Sequence, residues 1–322
     1  MADKTIGVLT SGGDAPGMNA AIRAVVRAGI GSGMRVLGIR HGYNGILNGD
    51  IVEMSLRSVS DIIYHGGTTL YTARCEEFKT EDGLEKAAEN CRNLGLDGLV
   101  VIGGDGSFRG ALELSKRGVQ CVGIPGTIDN DIGCSEYTIG FDTAMNTAME
   151  MVDKLRDTAQ SHDRCSVVEV MGRRSGEIAL KTGVAVGATA IIVPERPYDF
   201  ENDILNRIKF TQKIGKKHFI IVVAEGVGKV EEIAREIEKK CNIGTRSTVL
   251  GHVQRGGSPT LRDRLVASAM GYKSVEVLST WQESKVIVMQ NREIIDLDME
   301  IALNMKKTFD ESLYKVALAI SI

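Results

Sequence analysis

A short apolar run that breaks at glycines and gives way to helical spacing recurs along this chain, and that repeat constrains the fold more than any other feature. Residues 5–10 form a β-branched run that stops at Ser11-Gly12-Gly13-Asp14-Ala15-Pro16-Gly17, and residues 18–28 follow with helical spacing. Residues 35–39 read as a second strand. Residues 98–102 read as another, ending in Gly103-Gly104-Asp105-Gly106-Ser107 before a helix over 110–117. Residues 121–125 run into Gly126-Thr127-Ile128-Asp129-Asn130-Asp131, with a long helix expected over about 142–160. Runs at 166–171, 190–193, 218–224 and 248–250 repeat the pattern. Strands alternating with helices predict an α/β fold of mostly parallel sheets with helices on both faces. Runs that are apolar throughout fit strands buried on both sides. In such sheets ligands bind beyond the carboxyl ends of the strands, so the informative residues should stand just after each run.

Composition narrows the function classes. The 322 residues suffice for one large domain or two ordinary ones. At 43% apolar and 25% charged, the chain is not a mostly disordered one. Glycine, 37 of 322 residues, is about 11% against about 7% on average, as many tight strand-to-helix turns require. With 39 basic and 42 acidic residues the formal charge is −3, a poor balance for holding nucleic acid by bulk electrostatics. A local basic site remains compatible with that balance. Six cysteines, at 75, 91, 121, 134, 165 and 241, form no C-x-x-C pair, which removes support for zinc or thioredoxin-like sites. They read as reduced, mostly buried thiols of a cytosolic protein. The opening residues lack the apolar core of a signal peptide, and the longest apolar run, 219–224, is far short of a membrane span. A soluble, cytoplasmic protein is expected.

The strand ends carry the chemistry. Glycines at Thr10-Ser11-Gly12-Gly13-Asp14 let backbone N–H groups approach an anion at the start of a helix, although a purely structural turn would look alike. No Gly-Lys-Ser/Thr follows, so this is not a P-loop. In Gly103–Ser107 small residues leave room for a polyphosphate around Asp105, which could hold Mg²⁺ or simply cap the next helix. In Pro125–Asp131, an extended stretch would put Asp129 and Asp131 on one face, about 7 Å apart. Such paired carboxylates need a cation or proton between them, and one can serve as a base toward a hydroxyl. Thr127 adds a hydroxyl beside them, and an Asx-rich turn is the plain alternative. Arg164, Arg173, Arg246 and Arg255, with His252, stand near strand ends and suggest a sugar-phosphate or polyphosphate pocket. Glu225, also at a strand end, could accept hydrogen bonds from sugar hydroxyls.

These segments, together with Met171-Gly172-Arg173 and residues 250–259, Leu-Gly-His-Val-Gln-Arg-Gly-Gly-Ser-Pro, resemble the bacterial ATP-dependent 6-phosphofructokinases. The likeness runs from about residue 5 to the closing Ile-Ser-Ile. It implies two interwound αβα-sandwich domains and a homotetramer. The ATP-binding domain would be 1–140 plus about 254–304, and the fructose 6-phosphate domain about 141–253 plus 305–322. It also implies transfer of the ATP γ-phosphoryl group to the 1-hydroxyl of fructose 6-phosphate, with Mg²⁺. By the resemblance, Asp129 is the base, Asp131 its neighbouring carboxylate and Asp105 the Mg²⁺ carboxylate. Thr127 and Arg173 steady the transferring group. ATP would meet Gly13, Tyr43, Arg74, Cys75, Gly104, Asp105, Gly106, Ser107 and Gly110. The sugar phosphate would meet Thr127, Ile128, Asp129, Arg164, Met171, Gly172, Arg173, Glu225, Arg246, His252, Val253, Gln254 and Arg255, with Arg164 and Arg246 reaching in from a neighbouring subunit. Arg23, Arg27, Arg156, Gly187, Lys216, Lys217 and His218 match an effector site for ADP or phosphoenolpyruvate.

The chain departs from the family pattern in three places. Thr189 stands where members usually have Glu, Ile214 where a basic residue is common, and His65 where many have Arg. The first two fall in the effector site. A pyrophosphate-dependent relative would typically carry Asp at 106 and Lys at 126; both are Gly here, which favours ATP. A non-catalytic regulatory paralogue should have lost part of the set Asp105, Asp129, Asp131 and Arg173, and all four are present. A nucleotide-sugar or lipid kinase sharing the Gly-Gly-Asp-Gly element would leave the arginines and His252 without a purpose.

Overall fold

The computed structural model describes residues 4–280 and 283–321. The reading of the first three residues as free of a signal, and the closing Ile322 of the second expected domain, lie outside the described residues. Thr5–Ser11 (β1) is buried along its whole length and sits inside a seven-stranded sheet. Its parallel neighbours are Arg35–Ile39 (β2) and Gly98–Gly103 (β4), with Ile6 opposite Val36 and Gly98. The sheet continues from β4 to Cys121–Pro125 (β5) and Lys285–Gln290 (β10) in parallel, and ends at antiparallel edges, Ile51–Glu53 (β3) on β2 and Glu293–Asp298 (β11) on β10. Every residue of β4 and β5 is buried, as expected for strands covered on both faces. On one face Leu9, Ile39, Leu99, Val101, Val286 and Val288 pack with Tyr43–Asn48 (α2), Glu81–Asn93 (α3), Asp105–Ser115 (α4) and Met299–Asn304 (α10). On the other lie Met18–Gly31 (α1) and Leu261–Ser279 (α9), packed along each other.

A second, four-stranded sheet is parallel throughout. Its order is Ala190–Ile192 (β7), Phe219–Ala224 (β8), Cys165–Val170 (β6) and Thr245–Val249 (β9). Asn206–Lys213 (α7) and Val230–Cys241 (α8) bury Ile208, Ile233 and Ile237 against it, while Glu177–Ala185 (α6) and Glu311–Ile320 (α11) pack on each other. Two compact units result: 1–128 with 132–143 and 255–307, and 129–131 with 144–254 and 308–322. Phe141–Ser161 (α5) begins in the first and continues in the second.

Some elements differ from expectation. The helix read over 110–117 starts at Asp105, and the strand read over 248–250 spans Thr245–Val249. The β10–β11 hairpin was not anticipated: its two-residue turn is Asn291-Arg292, both with positive φ (50° and 66°), and it lacks the glycine that marks such turns in a sequence. All six cysteines are free. Cys91, Cys121, Cys134 and Cys165 are buried, and burial pushes the Cys91 thiol up to about 12 and Cys134 to about 11, so these are inert core groups.

Candidate active site

In the first unit the carboxyl ends of β1 and β4 build one cluster. Because α4 begins at Asp105, the Gly-Gly-Asp-Gly-Ser segment is a helix N-terminus with Gly104 as its cap residue, not a free loop. Its unpaired N–H groups and positive dipole end suit a phosphate. The Ser107 hydroxyl donates to the Ser11 carbonyl at 3.1 Å, tying α4 to the end of β1. Tyr43 is buried, stacks on Phe78 at 3.9 Å and donates its hydroxyl to the Ser107 carbonyl at 2.5 Å. A Cβ at Gly110 would come within 2.8 Å of Phe78 and 3.1 Å of Tyr43, so that helix face is held close. Arg74 is exposed and its carbonyl accepts from Asn44 Nδ2 at 3.2 Å; Cys75 is half-buried. Asp105 lies half exposed at the mouth of this helix end, paired with Arg109 one turn on at 2.8 Å. An exposed pair of this kind is worth about 0–1 kcal/mol, so a cation can displace it.

Arg255 crosses Gly13 so closely that a Cβ there would stand 2.5 Å from its Nη1, and it donates to the Asp14 carbonyl at 3.1 Å. It therefore lies on the β1 turn beside a residue expected to meet ATP. Asn19 lashes the same turn to the His65-Gly66-Gly67-Thr68 segment: Nδ2 donates to the His65 and Gly66 carbonyls and Oδ1 accepts from the Thr69 N–H at 2.8 Å. Thr127 is held through its carbonyl, which accepts from the Thr138 hydroxyl at 2.6 Å, and Ile128 is buried. Arg23 and Arg27 share a face of α1, half-buried and exposed respectively.

In the second unit the carboxyl ends of β6, β8 and β9 bring together residues 171–173, Glu225 and 251–254. Asp129 is buried. The expectation of an extended stretch fails: Ile128-Asp129 is a turn and Asn130 is left-handed at φ 48°, so Asp129 and Asp131 do not share a face by strand alternation. Asn tolerates that backbone, and Glu177 holds it there. The buried Glu177 accepts from Asn130 Nδ2 at 3.1 Å and from Lys181 Nζ at 2.8 Å. Asp131 stands 3.8 Å from the Arg173 guanidinium. Arg173 has φ 54°, and its side chain is 69% exposed. Glu225 Oε1 accepts from the Gly172 N–H at 3.1 Å and from the Arg173 N–H, so one of its oxygens orders the loop that presents Arg173. Gly172 has φ 139° and its missing Cβ would lie 2.4 Å from the Ser175 carbonyl, so no other residue fits. The buried Gln254 accepts from the Met171 N–H at 3.3 Å, while His252 and Val253 are exposed.

Arg164 and Arg246 do not join this group. Arg164 precedes β6, and Arg246, inside β9 rather than before it, pairs with Ser166 at the amino end of β6. A six-residue strand, about 20 Å at about 3.3 Å per residue, separates that end from Arg173. The single pocket read from arginines at strand ends is therefore corrected: strands have two ends, and these two arginines occupy the other one. Of the expected effector residues, Arg156, Gly187, Lys216, Lys217 and His218 belong to this second unit, while Arg23 and Arg27 are on α1 of the first. Arg156 donates to the Val186 carbonyl, Gly187 is left-handed at φ 58°, Lys216 Nζ donates to the buried Thr189 hydroxyl at 3.3 Å, and Lys217 is exposed. Burial, then the nearby Arg156, lowers the Lys216 pKa; burial, Arg156 and Lys216 lower that of His218.

Sequence reasoning missed Glu177 and Lys181, Thr138, Arg109 and the buried Asp263. For Asp263 a signal existed, the Thr260-x-x-Asp263 spacing that opens a helix.

A family model described as phosphofructokinase matches residues 5–278. A Clostridium botulinum protein named ATP-dependent 6-phosphofructokinase is 57% identical over 318 residues, covering 99% of both chains, and one of the same name from Clostridium tetani matches equally well. The structure of phosphofructokinase from Saccharomyces cerevisiae superposes with a TM-score of 0.92 at 32% identity over 98% of this chain, which spans 50% of the yeast chain. A pyrophosphate-dependent phosphofructokinase from Marinobacter aquaeolei shares the fold, with a TM-score of 0.85 at 21% identity over 95% of this chain and 86% of its own.

Proposed function

The chain belongs to the phosphofructokinase family, and from that premise we infer that it is an ATP-dependent 6-phosphofructokinase, moving the γ-phosphoryl group of ATP to the 1-hydroxyl of fructose 6-phosphate in glycolysis. The observation that carries this is the 57% identity, over 99% of both chains, to relatives bearing that name. We assign ATP to the first unit: its phosphates to the N-terminus of α4 and the Gly13 turn, its remaining contacts to Tyr43, Arg74, Cys75 and Gly110. Asp105 is assigned to Mg²⁺. Among the described residues no group of three or more His, Cys, Asp or Glu could cage a metal, and magnesium needs none, since it is commonly held by one or two carboxylates with substrate phosphates and water. The half-exposed, weakly paired Asp105 fits that donor set. When bound, the ion would neutralise phosphate charge.

The sugar phosphate is assigned, as the family resemblance implies, to Met171–Arg173, Glu225, His252, Val253 and Gln254, and by the same resemblance to Thr127, Ile128 and Arg255. Asp129 takes the proton from the 1-hydroxyl; Arg173, Asp131 and Thr127 orient and steady the transferring group. Phosphoryl transfer asks mainly for such alignment and fixed charge. The placement of Arg164 and Arg246 at the far end of their sheet supports their serving a neighbouring subunit of a homotetramer. A cytoplasmic location completes the proposal; among the described residues no helix is long and apolar enough to cross a membrane.

Donor choice tests this reading. Space is open around Gly106, while a Cβ at Gly126 would stand 3.1 Å from Ile102 and Met18. With fructose 6-phosphate and MgATP the enzyme is expected to turn over; with pyrophosphate it is expected to be slower by at least about a hundredfold. Comparable rates would reject ATP as the donor.

The effector site carries a second prediction. Lys216 lies against Thr189, where the resembled enzymes have a carboxylate, and Ile214 is 65% exposed. Without that anion a Mg²⁺-linked ADP contact is weakened, and repulsion toward a metal-free anion such as phosphoenolpyruvate is lost. Fructose 6-phosphate saturation should hardly respond to millimolar MgADP, and Thr189→Glu should restore activation. Strong activation of the parent, unchanged by the substitution, would sink the idea.

A further inference from the structure

Asp263 is fully buried in the first turn of α9, and no ligand role is assigned to it above. Its N–H donates to the Thr260 hydroxyl at 3.3 Å, as capping of its own helix requires. In a capping box the third-position carboxylate would reach back to the N-cap N–H. Here that N–H, of Thr260, goes to the Thr143 hydroxyl oxygen at 3.0 Å, and the carboxylate turns to another segment. Oδ1 accepts from the Tyr137 hydroxyl at 2.5 Å and the Gly140 N–H at 2.7 Å; Oδ2 accepts from the Thr143 N–H at 2.9 Å and its hydroxyl at 2.5 Å. The N-termini of α5 and α9 thus cap each other, each filling the other's unpaired donors. A buried carboxylate is destabilising unless hydrogen-bonded, and four donors meet that demand here. Burial still pushes its pKa up, with the hydrogen bonds opposing.

The pinned segment, residues 137–143, touches the chain just ahead of the catalytic turn. Thr138 donates its hydroxyl to the Thr127 carbonyl at 2.6 Å, and the Ile139 N–H donates to the Pro125 carbonyl at 2.9 Å. Gly126 and Ile139 form an isolated parallel bridge. We propose that Asp263 is a positioning residue for phosphoryl transfer, clamping residues 137–143 so that the Thr138 hydroxyl sets the backbone of Thr127. The inference rests on the role given to Thr127 above. Asp263 and Thr138 act through Thr127 on its steadying of the transferring group, an interaction strongest in the transition state, so the effect falls mainly on kcat.

The test uses the full-length chain, assayed with MgATP and fructose 6-phosphate beside the parent. Thr138→Val is expected to lower kcat about tenfold, with both KM values within about threefold and the melting temperature little changed, because small displacements of aligned groups weigh on rate. Thr138→Ser, which keeps the hydroxyl, is expected to stay within about twofold of the parent. Asp263→Asn, whose amide nitrogen faces donors, should lower kcat at least as far and increase amide exchange at Gly140 and Thr143. If it does not fold, the Thr138 pair decides. An active parent with unchanged kcat in Thr138→Val, or a loss that Thr138→Ser does not avoid, overturns the inference alone. An inactive parent overturns the functional reading and the inference with it.

Discussion

Asp129→Asn lowers kcat by at least about 10²-fold and leaves both KM values within a few-fold, the loss expected when a general base is removed. Asparagine keeps the shape of the side chain but cannot take the proton from the 1-hydroxyl. Asp129 is buried in the turn whose next residue, Asn130, is gripped by Glu177. An isosteric replacement therefore keeps its position, and the change isolates basicity from geometry. The check is steady-state kinetics with each substrate varied in turn. Turnover within a few-fold of the parent would remove Asp129 from the role of base.

Arg173→Gly is expected to separate activity from stability. Arg173 holds φ 54° with a largely exposed side chain, and a left-handed backbone at a non-glycine residue is destabilising by about 1–3 kcal/mol. Glycine adopts that region freely, so the variant should melt no lower than the parent and up to a few degrees higher. Its kcat should fall about 10²–10³-fold, because a preorganised positive group facing the transferring charge is gone. Calorimetry and kinetics on one preparation test both halves. A lowered melting temperature with near-normal kcat would mean that Arg173 serves the fold and not the reaction.

The local signals were strong where the physics is local. A strand buried on both faces must be apolar throughout, and a strand that ends at a ligand must break at small residues, so β1, β2, β4, β5 and β8 are legible without a structure. So is the identity of the residues that follow them, because the tight turns after β1, β4, β5 and β6 carry their own glycines. Boundaries slipped where the pattern is ambiguous. Asp105 reads as loop because glycines flank it, yet the helix starts there, since an N-terminal turn needs no apolar face.

The sequence by itself determined the α/β class, the parallel sheets and the set of chemistry-bearing residues, because apolar periodicity and glycine breaks are properties of neighbouring residues. Tertiary structure alone decided which of those residues meet. It put Asn130 in a left-handed turn held from Glu177, 47 positions away, so the two carboxylates do not alternate along a strand. It set Arg164 and Arg246 at the amino end of the second sheet, a fact of strand register that a list of strand ends does not contain. It also directed the Asp263 carboxylate away from its own helix to Gly140 and Thr143, 123 and 120 positions off. For Asn130 and Asp263 the reason is the same: a buried polar group must find its partner wherever packing brings one within about 3 Å, and sequence spacing does not encode that distance.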